Sequence, residues 1–138
     1  MVVPDSPLLA AVSLLSCLHL GYLARRVGRS RTAHKTLPPA VTGPPEFERT
    51  HRAHQNCVEF FPLFLVCLWS CGAFFSEAAA VAGGLLYMAA RQIYFNGYVK
   101  SAKKRLPGFY LTLAALAGLF LLGLTGIVHA ILHKYIHL

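Results

Sequence analysis

Arg49, Arg52, Asn56 and Glu59 recur at intervals of three and four residues. At about 100° per residue, that spacing puts their side chains on one face of an α-helix. A second set, Arg91, Tyr94, Tyr98 and Arg105, is separated by three, four and seven residues and falls within about 60° on a helical wheel. Both sets lie in or beside apolar runs, where a central charge costs roughly 2.5–3.5 kcal/mol on insertion scales. A charge in such a place faces a partner, a cavity or the interface. Singly, each residue has a plainer reading. Arg52 can snorkel, the tyrosines can form an aromatic belt, and Lys100 to Arg105 can act as a topology signal. Two cation-plus-acceptor faces at the same depth predict more, a polar pocket between two helices.

The chemistry such a pocket could do is binding of a small charged molecule. Guanidinium forks match carboxylates in geometry and charge. Glu59 can receive an ammonium, and Asn56 with the two phenols adds orienting hydrogen bonds. The complement is a zwitterion of net negative charge with two carboxylates and one amine. Glutathione has that inventory, and other anionic metabolites share it.

The elements that must carry these residues are membrane spans. The chain is 56% hydrophobic and 13% charged, whereas a soluble domain carries about 25% charged residues, so a water-facing surface would be hard to cover. The formal charge of +8 is split by apolar runs, which is a membrane-topology pattern and not a nucleic-acid footprint. A crossing helix needs about 20 mostly apolar residues. Four segments qualify: Leu8 to Ala24, continuing as a polar helix towards Lys35; Cys57 to Phe75, preceded by a polar helix from Pro45; Ala78 to Tyr98, with a basic extension to Arg105; and Tyr110 to Leu132. Thr36 to Pro45 is rich in proline and glycine and reads as a loop. Ser76-Glu77 is a very short turn, and Leu106-Pro107-Gly108 breaks the chain before the last span. The expected fold is all-α: a single domain over residues 1–138, built as an integral membrane four-helix bundle with up-down topology.

Basic residues set the orientation. The first connection holds Arg25, Arg26, Arg29, Arg31, Lys35 and Arg49, and the third holds Lys100, Lys103, Lys104 and Arg105. By the positive-inside rule both face the cytoplasm, and the termini and second connection lie opposite. The first apolar run has its positive charges after it and acidic Asp5 before it, the wrong flanks for a cleaved signal. Cys17, Cys57, Cys67 and Cys71 sit in apolar runs and read as buried, inert thiols. His129, His133 and His137 share a helix face at metal-like spacing. With no carboxylate or cysteine beside them, they read as interfacial groups suited to a helix C-terminus, and no metal is expected.

The run from Pro44 to Arg49, continuing through Arg52, Gln55-Asn56-Cys57-Val58-Glu59 and Pro62, resembles the signature of the MAPEG family, the membrane-associated proteins of eicosanoid and glutathione metabolism. Arg91-Gln92-Ile93-Tyr94-Phe95-Asn96-Gly97-Tyr98, with Lys104-Arg105 after it, resembles that family's third helix, and the similarity covers nearly the whole chain. The resemblance implies a homotrimer in the endoplasmic reticulum or nuclear envelope, with glutathione as co-substrate between adjacent subunits on the cytosolic side. It implies transfer of glutathione to lipophilic electrophiles, such as aryl halides or the epoxide leukotriene A4, and reduction of lipid hydroperoxides. Arg105 matches the arginine that stabilises the thiolate. Arg31, Arg52, His54, Asn56, Glu59, Phe60, Tyr94 and Tyr98 match glutathione-binding positions.

Three positions depart from the family's leukotriene-forming members. Thr32 stands where they carry a second arginine, His54 replaces a glutamine and Phe60 a tyrosine. The missing arginine argues against a dedicated leukotriene synthase, while Phe60 and Lys103-Lys104-Arg105 point to the broader conjugating branch. The family also contains non-catalytic members that present lipid to another enzyme. These lack the full arginine and tyrosine set that this chain retains.

Overall fold

The computed structural model describes residues 6–137; Asp5 lies outside them. Four helices follow one another: α1 (Pro7–His34), α2 (Pro45–Phe74), α3 (Glu77–Lys100) and α4 (Leu106–Ile131). A 3-10 turn, Ala102–Arg105, joins α3 to α4, and a π-type turn, Leu132–Ile136, follows α4. No strand occurs among the described residues. The fold is the expected all-α bundle.

Cross-helix pairs fix the topology. Phe64 meets Tyr87, Asn56 meets Arg91 and Arg49 meets Val99, so α2 and α3 run antiparallel. Gly83 against Leu119, Arg91 with Thr112 and Tyr94 against Gly108 give the same relation between α3 and α4. His19 with Gln92 and Arg26 with Asn96 set α1 parallel to α3. The helices therefore alternate up and down. Even the shortest, α3 with 24 residues, extends about 36 Å at 1.5 Å per residue, more than the roughly 30 Å hydrocarbon core.

The four expected spans fall into two kinds. α1, α2 and the segment Ala102–Ile136 are long and apolar enough to cross a membrane by length and composition alone. α3 is interrupted by Arg91, Gln92 and Asn96. It crosses in company, because its polar groups are met by neighbouring helices and not by lipid. His19 pairs with Gln92 at 2.8 Å, Gln92 donates to Asn96, and Arg26 donates to the same Asn96 oxygen, both at 2.9 Å. This polar ladder fastens α1 to α3.

The apolar core has two parts. One gathers Leu9, Val12, Phe64, Leu68, Cys71, Ala80, Tyr87, Ala115 and Leu119; Phe64 and Tyr87 stack at 3.9 Å between centroids. The other gathers Leu23, Ala53, Cys57, Tyr94 and Phe95 towards the basic end. Cys57 and Cys71 are buried and Cys67 partly so, as expected. Cys17 is exposed, because α1 packs on one side only and turns Leu14, Leu15 and Leu18 outward with it.

Two boundaries differ from the sequence reading. α3 stops at Lys100, Ser101 takes an extended conformation, and the basic extension forms a separate 3-10 turn. Leu106-Pro107-Gly108 begins α4 and does not break the chain, because proline in a first helical turn lacks only an N–H that had no partner there. The reversal is tight. A Cβ at Gly97 would fall on the Lys104 carbonyl, and one at Gly108 on the Tyr94 backbone. Gly108→Ala is expected to destabilise the bundle by about 1–3 kcal/mol through overpacking. Gly118→Ala, whose new methyl meets nothing within 4 Å, should be neutral or gain up to about 1 kcal/mol. Thermal unfolding in one detergent compares the two.

Candidate functional site

The polar face of α2 and the end of α3 form an open groove of about 400 Å³ lined by Arg52, Gln55, Asn56, Glu59, Tyr94, Tyr98 and Arg105. Its size falls in the range of small-molecule sites, about 300–1,000 Å³. A second groove of about 370 Å³ shares Arg52 and Tyr98 and adds Pro45, Glu48, Arg49, Lys100, Ser101 and Ala102. The expected pocket between α2 and α3 is therefore present. Six of the residues read from sequence, Arg52, Asn56, Glu59, Tyr94, Tyr98 and Arg105, line the first groove together.

The local fold explains their placement. On α2, one face turns from polar to apolar at Cys57, which leaves Arg52 and Glu59 exposed beside half-buried Asn56. Pro62 lies inside α2 and lacks the N–H that would bond the Val58 carbonyl, loosening the backbone beside Glu59. On α3, Tyr94 is 3% exposed and stands edge-on to Tyr98 at 5.6 Å between centroids. The 3-10 turn brings Arg105 back over the Tyr98 ring at 5.6 Å, and its guanidinium also donates to the Ala102 carbonyl. The only acid–base contact of this kind among the described residues is His34 with Glu46, at 4.0 Å, so Arg52, Glu59 and Arg105 are free of salt bridges among them. Two guanidiniums and one carboxylate give the groove a net positive charge, complementary to a net-anionic zwitterion.

Three expected site residues lie elsewhere in the chain. Arg31 donates to the carbonyls of Thr36 and Ala40, at 3.3 and 2.6 Å, and stacks over Phe47. It closes the loop after α1. His54 turns towards the Leu20 backbone of α1. Phe60 packs against Phe109 and beneath the Arg91 guanidinium. Arg49, on the same helical face as Arg52, donates to the Val99 carbonyl at 3.2 Å near the end of α3.

Arg91 differs most from its sequence reading. It does not face the groove but points into the bundle, 1% exposed. It donates to Asn56 Oδ1 at 2.7 Å and Thr112 Oγ1 at 3.0 Å, with Cys57 Sγ at 3.7 Å. Gln55 was absent from the sequence-derived site but lines the groove; its position, one residue before Asn56 and three after Arg52, was the available signal. His129 and His133 stack at 6.3 Å between ring centroids. Among the described residues no group of three histidine, cysteine or acidic side chains is placed to hold a metal.

The chain matches the MAPEG family over residues 9–125. It is 51% identical over 134 residues to microsomal glutathione S-transferase 2 of Homo sapiens, covering 97% of this chain and 91% of that protein. Against the Mus musculus protein of the same name identity is 52% over 132 residues, covering 96% and 90%. Against leukotriene C4 synthase of Cavia porcellus it is 48% over 121 residues, covering 88% and 81%.

The single carboxylate of the groove gives a direct test. Glu59→Gln is expected to weaken an ammonium-bearing ligand such as glutathione by about three- to tenfold. N-acetylation of the ligand should remove the difference between the two proteins. Isothermal titration with both ligands checks it.

Proposed function

The chain belongs to the MAPEG family, and on that footing we propose that it is a membrane glutathione transferase joining the glutathione thiolate to lipophilic electrophiles. The observation that carries this reading is the convergence of Arg52, Asn56, Glu59, Tyr94, Tyr98 and Arg105 on one groove. Arg52 takes a carboxylate, Glu59 the ammonium, and Asn56 with the phenols orients the peptide. Arg105 takes the sulfur.

Free thiol, with a pKa of about 8.5, is only a few per cent ionised at pH 7. Making it mostly thiolate needs a shift of roughly two units, or about 2.7 kcal/mol. One charge-assisted hydrogen bond supplies on the order of 1.5–3 kcal/mol, so a single guanidinium nearly suffices. A groove where α2 turns from polar to apolar lets each substrate arrive from its own phase, the tripeptide from water and the electrophile from lipid. Aryl halides, leukotriene A4-type epoxides and lipid hydroperoxides all suit a thiolate held there.

Three copies in the membrane of the endoplasmic reticulum or nuclear envelope, with the groove on the cytosolic side, complete the proposal. The groove of one chain is open on its outer side, and an adjacent copy would close it. Arg31, which its own chain keeps from the groove, would join from that copy. A lipid-presenting scaffold is the lesser reading, because nothing in that role uses the full cation and phenol set.

Arg105→Ala is expected to retain most glutathione binding while losing roughly ten- to hundredfold in conjugation at pH 7. The deficit should shrink as pH rises towards 9, because the unassisted thiol then ionises by itself. Stopped-flow thiolate absorbance and turnover of an aryl halide read both effects, and wild-type turnover in the variant would remove Arg105 from the chemistry. Product profiling with glutathione plus an aryl halide, an allylic epoxide and a lipid hydroperoxide then ranks the electrophiles. A scaffold would show no heat on titration with glutathione.

A further inference from the structure

Among the described residues Arg91 is the largest fully buried side chain, and no carboxylate among them pairs with it. Its guanidinium is held from three sides. Thr112 Oγ1 accepts from Nε at 3.0 Å while donating its own hydrogen to the Gly108 carbonyl at 2.8 Å. Phe60 and Tyr94 present their ring faces at 4.9 and 4.3 Å. Asn56 Oδ1 accepts from one terminal nitrogen at 2.7 Å. With 1% exposure, Arg91 cannot touch a ligand in the groove, yet Asn56 and Tyr94, which it holds, both line that groove.

The chemical consequence follows from the donor inventory. Arginine has five N–H donors and no acceptor. The Asn56 amide can therefore meet it only through oxygen, because the flipped amide would set N–H₂ against N–H. The amide is planar, so committing its oxygen to Arg91 leaves the N–H₂ on the other branch of a residue that lines the groove. We propose that Arg91 is a positioning residue: it fixes the polarity of Asn56, so that the groove offers a hydrogen-bond donor there and selects a ligand carrying a carboxylate or carbonyl oxygen at that point. The same guanidinium holds the Tyr94 ring in place from the interior. The inference rests on the glutathione reading of the groove and assigns the sense of one of its contacts.

The test separates positioning from mere structural support. Arg91→Gln places a group with both donor and acceptor against Asn56, so the amide polarity is no longer dictated. KM for glutathione should rise by about tenfold, with the loss concentrated in KM and not in kcat at saturating aryl halide. Arg91→Lys, again donor-only, should recover part of that KM. Asn56→Asp decides the matter if the Arg91 variants fail to fold. It keeps an oxygen towards Arg91 and gains an ion pair, so its melting midpoint should be at or above wild type. It also presents an oxygen to the groove where a donor stood, so KM should rise by about tenfold or more. A folded Arg91→Gln with wild-type KM, an Asn56→Asp with wild-type KM, or an Asn56→Asp that melts below wild type would overturn the inference. If wild-type protein turned over no glutathione, the proposed function would fall, and the melting comparison would still report on the Arg91–Asn56 contact.

Discussion

A guanidinium lies between α2, α3 and α4 with no carboxylate among the described residues to neutralise it, in a part of the chain that lipid surrounds. Arg91 is tolerable there because oxygens from two other helices and two ring faces replace much of its hydration, although its Nη2 has no hydrogen-bond partner among the described residues. That requirement ties the three helices to one register. A slide of α2 along α3 removes Asn56, and a slide of α4 removes Thr112. Phe64 stacks on Tyr87 one turn above, and the Leu23–Tyr94–Phe95 core lies one turn below. Arg91 thus lies between the larger apolar core of the bundle and the end that holds the polar groove.

Below that boundary, polar side chains are sorted by what they touch. Along the α1–α3 seam they are used in structure: His19, Gln92, Asn96 and Arg26 bond one another. Those facing away from α1 are left with spare hydrogen-bonding capacity, and these are the groove residues Arg52, Glu59, Tyr98 and Arg105. The same helix α3 therefore has one polar face that holds the fold and another that is available to a ligand. Uncommitted charge beside a membrane span is expensive to keep. Its presence in the groove, against mutual pairing along the seam, favours reading the groove as a binding site over a second structural ladder.

The sequence made the spans and most of the groove legible, because each depends on local spacing. The three- and four-residue steps of α2 put Arg52, Asn56 and Glu59 together as read. Its failures were failures of the third dimension. The wheel grouped Arg91 with Tyr94 and Tyr98, but a wheel cannot say that α4 packs over one edge of that face and buries it. Tyr94, three residues on, is buried as well and reaches the groove only at its rim. Arg105 was placed by continuing α3 through Ser101, yet it reaches Tyr98 by a different route, a reversal of the chain. His54 and Arg31 matched family positions, and neither lies at its own chain's groove. In the proposed trimer, positions supplied from a neighbouring copy would leave no trace in the periodicity of a single chain.

The position of Arg105 is therefore set by backbone contact more than by helical phase. A 3-10 turn of four residues has few hydrogen bonds of its own and poor geometry, so it cannot hold a guanidinium in place unaided. Here it is clamped at both ends by missing side chains. Gly97 lets the Lys104 carbonyl lie against α3, and Gly108 lets the first turn of α4 lie against the Tyr94 backbone. With those two approaches fixed, Arg105 has little choice but to rest over Tyr98. The residue proposed to take the sulfur thus sits on a short, irregular turn of the bundle. It is made precise by two glycines, neither of which lines the groove.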